Sequence, residues 1–479
     1  MGTRKHRERQ EDLWITHAEL ATAPGHPFYK RLNELLEKEK FDGFAERECA
    51  PFYADRNGRP SLTPGTYFRL LLIGYFEGID SERGIAWRAA DSLGLRQFLQ
   101  IGLDERTPDH STLSRTRRLI DVETHRKVFG WVLGVLADRG LLPGKMVGVD
   151  ATTLEANAAM RSIVRRDNGQ RYDAFLTELA QQSGIATPSR EDLAQIDRKR
   201  KKKGSNREWR SVSDPDARIA KMKDGSTHLA HKAEHAVDMT SGAVIAVTLQ
   251  AADQGDTATL RETLADAGQA VAELIEREAG KAPEAKPQVH VHGLTEVVAD
   301  KGYHSGRTVA ALAQAGVRSY LPEPKRGRRR WEGKAQEQQA VYANRRRSKG
   351  NHGRQLLKRR GELVERSFAH CYETGGMRRT HLRGRENIFK RQLIHVCAFN
   401  LSLIFRLRLG AGTPRELRNR QAMLVSAFLW PLMALLALEQ AAGGDQTGLD
   451  QSGRPSEHGS RPHAGNCRRR NFTGYTTGC

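Results

Sequence analysis

The sequence has no pair of cysteines spaced for metal or disulfide chemistry. Its five cysteines, Cys49, Cys371, Cys397, Cys467 and Cys479, are scattered and odd in number. That excludes a CxxC zinc module and a disulfide framework, and it suits a reducing, cytoplasmic setting. The opening "MGTRKHRERQ" has no apolar stretch, so it is not a secretory signal. Long apolar runs are also scarce. The one alarm is "AMLVSAFLWPLMALLAL", residues 422–438, which Pro431 interrupts. It falls slightly short of the roughly 18 residues expected of a membrane span, so a buried helix or an oligomer contact is expected, and no membrane. No internal repeat is apparent. Acids are in deficit: 57 Asp and Glu stand against 78 Lys and Arg, a formal charge of +21. A clustered basic excess of that size points to a polyanionic partner, nucleic acid.

What is present falls into blocks. A chain of 479 residues favours more than one domain. Residues 1–143 read as an all-helical N-terminal domain. "TPGTYFRLLLIGYFEG" and "TPDHSTLSRTRRLI" both open on Thr-Pro, at Thr63-Pro64 and Thr107-Pro108, which suits an N-cap followed by the first helical position. The second helix is short and carries Ser111, Thr112, Ser114, Arg115, Arg117 and Arg118 on its expected exposed side. Hydroxyl and Arg side chains there suit a DNA-reading helix-turn-helix.

Near Pro143-Gly144 the pattern changes. "KMVGVD" reads as a strand, followed by a polar, helix-leaning insertion at about 156–227 that contains "RKRKKK". "HKAEHAVDMTSGAVIAVTLQ" reads as a hairpin turning at Thr240-Ser241-Gly242. Helix, strand, helix, strand and helix follow, with Asp256 or Thr257 as a cap and "TEVVAD" as the next strand. The expectation for 144–410 is an α/β fold, a mixed sheet flanked by helices. A C-terminal helix is expected at 411–442 and disorder over 443–479.

Two strands end on an acid, Asp150 and Asp300. Ligands of such sheets gather at the carboxyl ends of parallel strands. If these two strands are neighbours, their backbones lie about 4.8 Å apart. Two ionised carboxylates that close repel, and a divalent cation such as Mg²⁺ removes the repulsion. Two-metal chemistry calls for a third acid. Glu362, Glu365, Glu373 and Glu386 are the candidates. On "LLKRRGELVERSFAHCY", taking Leu357, Gly361, Val364, Phe368 and Cys371 as the buried face, Glu365 lies roughly 80° from its centre and Glu362 and Glu373 roughly 140–160° away. Asp256 competes as second acid, although its place before a helix suits a cap. His228, His231 and His235 lie close in sequence, but strand alternation sends them to different faces, against a zinc site.

Several longer motifs carry a resemblance. "VGVDATTLEANAAMRSIVRRD", "DPDARIAKMKDGSTHLAHKAEHAVD", "VVADKGYHS" and "LVERSFAH…GGMRRTHLRGRENIFKR" resemble bacterial insertion-sequence transposases of the DDE class, in the four-and-five supergroup. "PFYADRNGRPSLTPGTYFRLLLIGYFEGIDSERGIAWRA" resembles their helical N-terminal domain, and the likeness runs over about 41–409. It implies a ribonuclease-H-like core with Mg²⁺ or Mn²⁺, two ions, on Asp150, Asp300 and Glu365. It implies cleavage of the element's ends and joining of the 3′-hydroxyl to target DNA. A metal-dependent nuclease without strand transfer, or a DNA-binding protein with a decayed site, are the alternatives. Expected DNA contacts are Arg115, Arg117, Arg118, Lys301, Arg328, Arg329, Arg330, Arg345, Arg346 and Arg366. The partners are double-stranded DNA, as terminal inverted repeats and target, and further copies of the chain in a dimer or larger assembly at the nucleoid. Where related enzymes often carry a lysine seven positions after the glutamate, this chain has Tyr372, which leaves Arg366 or Arg378 to take the part.

Overall fold

A computed structural model describes residues 25–54, 61–200, 204–222, 225–280, 287–325, 327, 329–420 and 423. Contacts gather Met1–Arg420 into one compact unit and set Gln421–Cys479 apart as a second. Apart from Met423, the apolar run at 422–438 lies outside the described residues, as do the tail at 443–479 and Arg328.

Among the described residues, seven helices come first: α1 (Pro27–Lys38), α2 (Phe41–Cys49), α3 (Pro64–Glu77), α4 (Glu82–Ala90), α5 (Leu93–Phe98), α6 (His110–Leu119) and α7 (Val122–Ala137). Helix α3 starts at Pro64, directly after Thr63, as the Thr-Pro pair predicts. Helix α6 does not start at Pro108. The Asp109 carboxylate accepts from Thr112 N at 2.9 Å, and this better cap moves the start to His110.

The sheet contains β1 (Met146–Glu155), β4 (Arg218–Lys221), β5 (Thr227–Asp238), β6 (Val244–Ala251), β7 (Glu296–Ala299) and β8 (Arg318–Tyr320). Across it the order is β6, β5, β1, β7, β8. Strand β5 is antiparallel to both β1 and β6, whereas β7 and β8 run parallel to β1. The β5–β6 turn falls at Thr240-Ser241-Gly242, where Asp238 accepts from the Thr240 and Ser241 amides and Gly242 takes a positive φ of 79°. The result is the mixed sheet with helices that the element order predicts.

Between β1 and β5 the insertion forms a ribbon of β2 (Ile163–Arg165) and β3 (Trp209–Ser211), with helices α8 (Tyr172–Gln182) and α9 (Arg190–Lys199). It has a small core of its own around Trp209, whose indole meets the rings of Tyr172 and Phe175. The insertion is more than polar helix. Its last strand, β4, pairs with the first half of β5 and so extends the main sheet.

Helix α10 (Asp256–Ala279) packs on β6 and β5, and α11 (Gly306–Gln314) joins β7 to β8. Then come α12 (Ala335–Lys349), α13 (Asn351–Ala369), a π-helical turn (His370–Thr374) and α14 (Arg385–Leu409). Helix α14 is apolar enough by length and composition to cross a membrane, but it is buried against α7, α3 and β6. Buried all round, it is a core helix. Its polar residues have partners inside the protein. Asn400 bonds both the N–H and the carbonyl of Val244, which caps the outer edge of β6. Lys390 donates to Arg117 O, and Arg391 to Ile79 O. The core thus runs without a break from the opening helices through α14 to the sheet.

Candidate active site

Strands β1 and β7 put the two acids together. Their parallel register ends with Val149 opposite Ala299, so the next residues, Asp150 and Asp300, leave the same end of neighbouring strands. Asp150 is half-buried. Its Oδ1 accepts from Ala151 N at 2.9 Å, and its Oδ2 accepts from Arg360 Nη1 of α13 at 2.7 Å. Burial pushes its carboxyl up, Arg360 pulls it back, and the charge of Asp300 adds to the rise, so the net direction is upward.

Asp300 is held by the turn that follows it. Its carboxylate accepts from Gly302 N and caps the 3₁₀ turn Lys301–Tyr303. Beneath the turn, the Tyr303 hydroxyl donates to Glu234 Oε1 at 2.8 Å. Glu234 is 0% exposed, and it also accepts from Thr259 at 2.8 Å and from Thr263. Lys232, on the same face of β5, donates to Asp256 Oδ1 at 2.7 Å and to Thr259 at 2.9 Å. Burial, and then Glu234, push the Tyr303 hydroxyl far above its ordinary range, so it remains a donor. A Cβ at 302 would crowd Asp256 Oδ2 and stand 3.3 Å from Asp300 Oδ1, so any larger residue there must push the Asp256 carboxylate aside.

Asp256 therefore lies beside Asp300, and its role differs from the expected cap. The N-cap of α10 is Gly255, with no side-chain bond. Asp256 is the first helical residue, and its carboxylate is turned to Lys232 instead.

Glu365 stands differently. It is exposed on α13, and its Oε1 lies 4.0 Å from where a Cβ on Gly361 would be. The buried face of α13 is Gly353, Leu356, Leu363, Val364, Ser367 and Phe368, so Leu357 and Gly361 lie nearer its margin than the apolar spacing predicts. Polar residues cause the rotation. Arg360 turns in to Asp150, and Ser367 turns in to His235 at 2.9 Å. A count of apolar positions omits both. Among the described residues, no three of His, Cys, Asp and Glu converge tightly enough to hold a metal ion. The structure brings Asp150 and Asp300 together and leaves Glu365 outside their contact.

The three histidines of "HLAHKAEH" take separate partners, although alternation parts only His228 from the others, since 231 and 235 share one face of β5. His231 bonds buried Asp214 at 3.0 Å, His228 meets Glu155 at 3.5 Å, and His235 stacks on Phe368 at 4.1 Å between ring centroids. Of the expected DNA contacts, Arg115, Arg118, Lys301, Arg330, Arg346 and Arg366 are exposed. Arg329 and Arg345 both hold Glu323, at 3.0 and 2.8 Å. Arg117 departs from the expected exposed row: it is buried, pairs with Glu82 and reaches Asn387 at 3.3 Å. Tyr372 lies in the π-helical turn, its ring stacked on Phe368. Arg378 is exposed and pairs with Glu373. Sequence reading missed Arg360, Lys232, Glu234 and Tyr303. The signal available for two of them was a pair of opposite charges two positions apart, Lys232 and Glu234, on one face of a strand flanked by alanines.

Two family models match the chain in succession. Residues 17–119 match a transposase domain (DUF772), and residues 196–401 match a transposase DDE domain. No curated protein and no solved structure gives a significant match. The chain is an enzyme of the metal-dependent polynucleotidyl transferase and endonuclease class. It belongs to the DDE transposases of insertion sequences.

Proposed function

We propose that the chain binds the terminal inverted repeats of its own element, cleaves them, and joins the freed 3′-hydroxyl to target DNA. The observation that carries this reading is the parallel pairing of β1 and β7, which puts Asp150 and Asp300 side by side. The sheet order, with three antiparallel strands followed by two parallel to the first, supports a ribonuclease-H-like core. The donor set fits a hard divalent cation: carboxylate oxygens on two neighbouring strand ends, one of which already holds a cationic guanidinium. Mg²⁺ or Mn²⁺, as a pair of ions, would supply an activated water and neutralise charge on the attacked phosphate.

The residues divide the remaining work. Asp150 and Asp300 present oxygens from rigid strand ends. Glu365 completes the set when α13 and DNA come together. Lys301, Arg330, Arg346 and Arg366 are exposed and hold phosphates, with Arg115 and Arg118 on α6 contacting the element's ends. Cleavage and joining are both in-line phosphoryl transfers, so one site serves both. Because two ends must be joined, the working form is a dimer or larger assembly on DNA, at the bacterial nucleoid.

The test uses labelled element ends with Mg²⁺, and with Ca²⁺ as a binding-only control. Double substitution Asp150→Asn with Asp300→Asn is expected to abolish cleavage and to spare end binding. Strand transfer from a pre-cut end by that variant would sink the assignment. Cutting without joining by the parent protein would favour a plain nuclease.

A further inference from the structure

The Asp150–Arg360 contact has an unusual form. Arg360 comes from the buried face of α13 with its side chain 13% exposed, and the same Nη1 that reaches Asp150 Oδ2 also reaches Val149 O at 3.3 Å. Its stem crosses β1 at Gly148, where a Cβ would stand 2.9 Å from Arg360 Cγ. An Arg committed to one carboxylate normally grips it with two parallel bonds. Here a single nitrogen does so, and the buried Nε has no hydrogen-bond partner among the described residues. The guanidinium fits a position that it can leave.

The surroundings give it a reason to be there. Asp150 and Asp300 share one sheet end, and an uncompensated pair of carboxylates is costly. Lys232, the other buried cation nearby, is held by Asp256 and Thr259. Arg360 is the side chain whose charge meets Asp150.

We infer that Arg360 is a positioning residue that stands in for the divalent cation at Asp150 in the free protein, so that guanidinium and metal ion compete for one carboxylate oxygen. Entry of the ion releases Arg360, whose five N–H donors then become available to a phosphate oxygen of DNA. Because Arg360 and Glu365 share α13, the same release unpins the helix that carries the third acid. This rests on the reading of Asp150 and Asp300 as metal ligands.

The experiment is Mn²⁺ titration calorimetry on the full chain without DNA. Arg360→Gln is expected to bind Mn²⁺ roughly tenfold tighter than the parent, and Arg360→Lys to fall between them. Unchanged or weaker binding by a folded Arg360→Gln protein overturns the inference. If that variant does not fold, dicarbonyl labelling of the parent, mapped by mass spectrometry, decides instead. Mn²⁺ is expected to raise labelling at Arg360, and equal or lower labelling overturns the idea. Asp150→Asn separates the two levels: if it leaves Mn²⁺ affinity intact, the metal site itself is misassigned and the competition falls with it.

Discussion

Asp300 and Glu365 are carried by opposite kinds of scaffold. Asp300 ends a fully buried strand and sits on a turn whose tyrosine is bonded to a buried glutamate, itself held by two threonines. Glu365 sits on the exposed side of a helix and does not converge with the two aspartates into a metal-holding group. The first acid is preorganised by folding. The second depends on where α13 is held, and α13 is tied to β1 through Arg360. On the proposed assignment of Glu365 as the third acid, the contrast implies a site built in two stages: an aspartate pair set by the sheet, and a glutamate delivered when the substrate arrives.

The largest effect should test the two stages directly. Asp300→Asn and Glu365→Gln are each expected to reduce DNA cleavage by on the order of 10⁴-fold, since residues that act as a unit fail singly. In the absence of DNA they should differ. Asp300→Asn is expected to weaken Mn²⁺ binding to the free protein, and Glu365→Gln to leave it unchanged. Equal weakening by both would mean that the glutamate is already in place, and the two-stage contrast would be wrong.

Stability should separate the scaffolds next. Glu234→Ala strips Tyr303, Thr259 and Thr263 of their acceptor and leaves Lys232 with less counter-charge. The expected cost is about 3–5 kcal/mol in denaturant unfolding, as for a broken buried ion pair. Glu362→Ala, on the exposed side of α13, should stay within about 0.5 kcal/mol. A small cost at Glu234 would show that the network does not hold the Asp300 turn.

Much of the fold was legible because its signals are local. Alternation and turn chemistry mark the β5–β6 hairpin, and "VVAD" reads as a buried strand ending on an acid. Motif order places Asp150 and Asp300, and their pairing follows once β1 and β7 are neighbours. What was not legible depends on partners far apart in sequence. Arg117 looks like an exposed DNA contact until Glu82 and Asn387 enclose it. Asp256 looks like a helix cap until Lys232 claims it. The face of α13 turns because Arg360 and Ser367 find polar partners on β1 and β5, which apolar spacing does not register.

Acid should loosen the α13 side in a defined direction. His235, which packs α13 to β5 through Ser367 and Phe368, is pushed down to about 3 by burial, and His125 to about 4. The unfolded chain takes up a proton at each near pH 6.5, while the folded chain does not. The unfolded state then binds more protons, so stability is full above pH 6.5 and is lost as pH falls toward 4. The expected slope is up to ~1.4 kcal/mol per pH unit for each such histidine. Hydrogen exchange between pH 6.5 and 4 should show α13 amides, corrected for intrinsic rates, losing protection before those of Lys301–Tyr303. The reverse order would place the weaker scaffold under Asp300.

The smallest effect concerns the basic residues beside each acid. Lys301 follows Asp300 and Arg366 follows Glu365, and both are exposed. If DNA lies against both scaffolds in the assembled site, each side chain neutralises a phosphate. Alanine at either position should then lower the slope of log affinity against log salt by about 0.9 for duplex ends. Sequence preference should not change, because phosphate contacts carry none. A loss at Lys301 without one at Arg366 would mean that DNA rests on the strand-end turn alone and that α13 approaches later, during the chemical step. A loss at Arg366 alone would reverse the order of assembly, with the helix meeting DNA before the aspartate pair does.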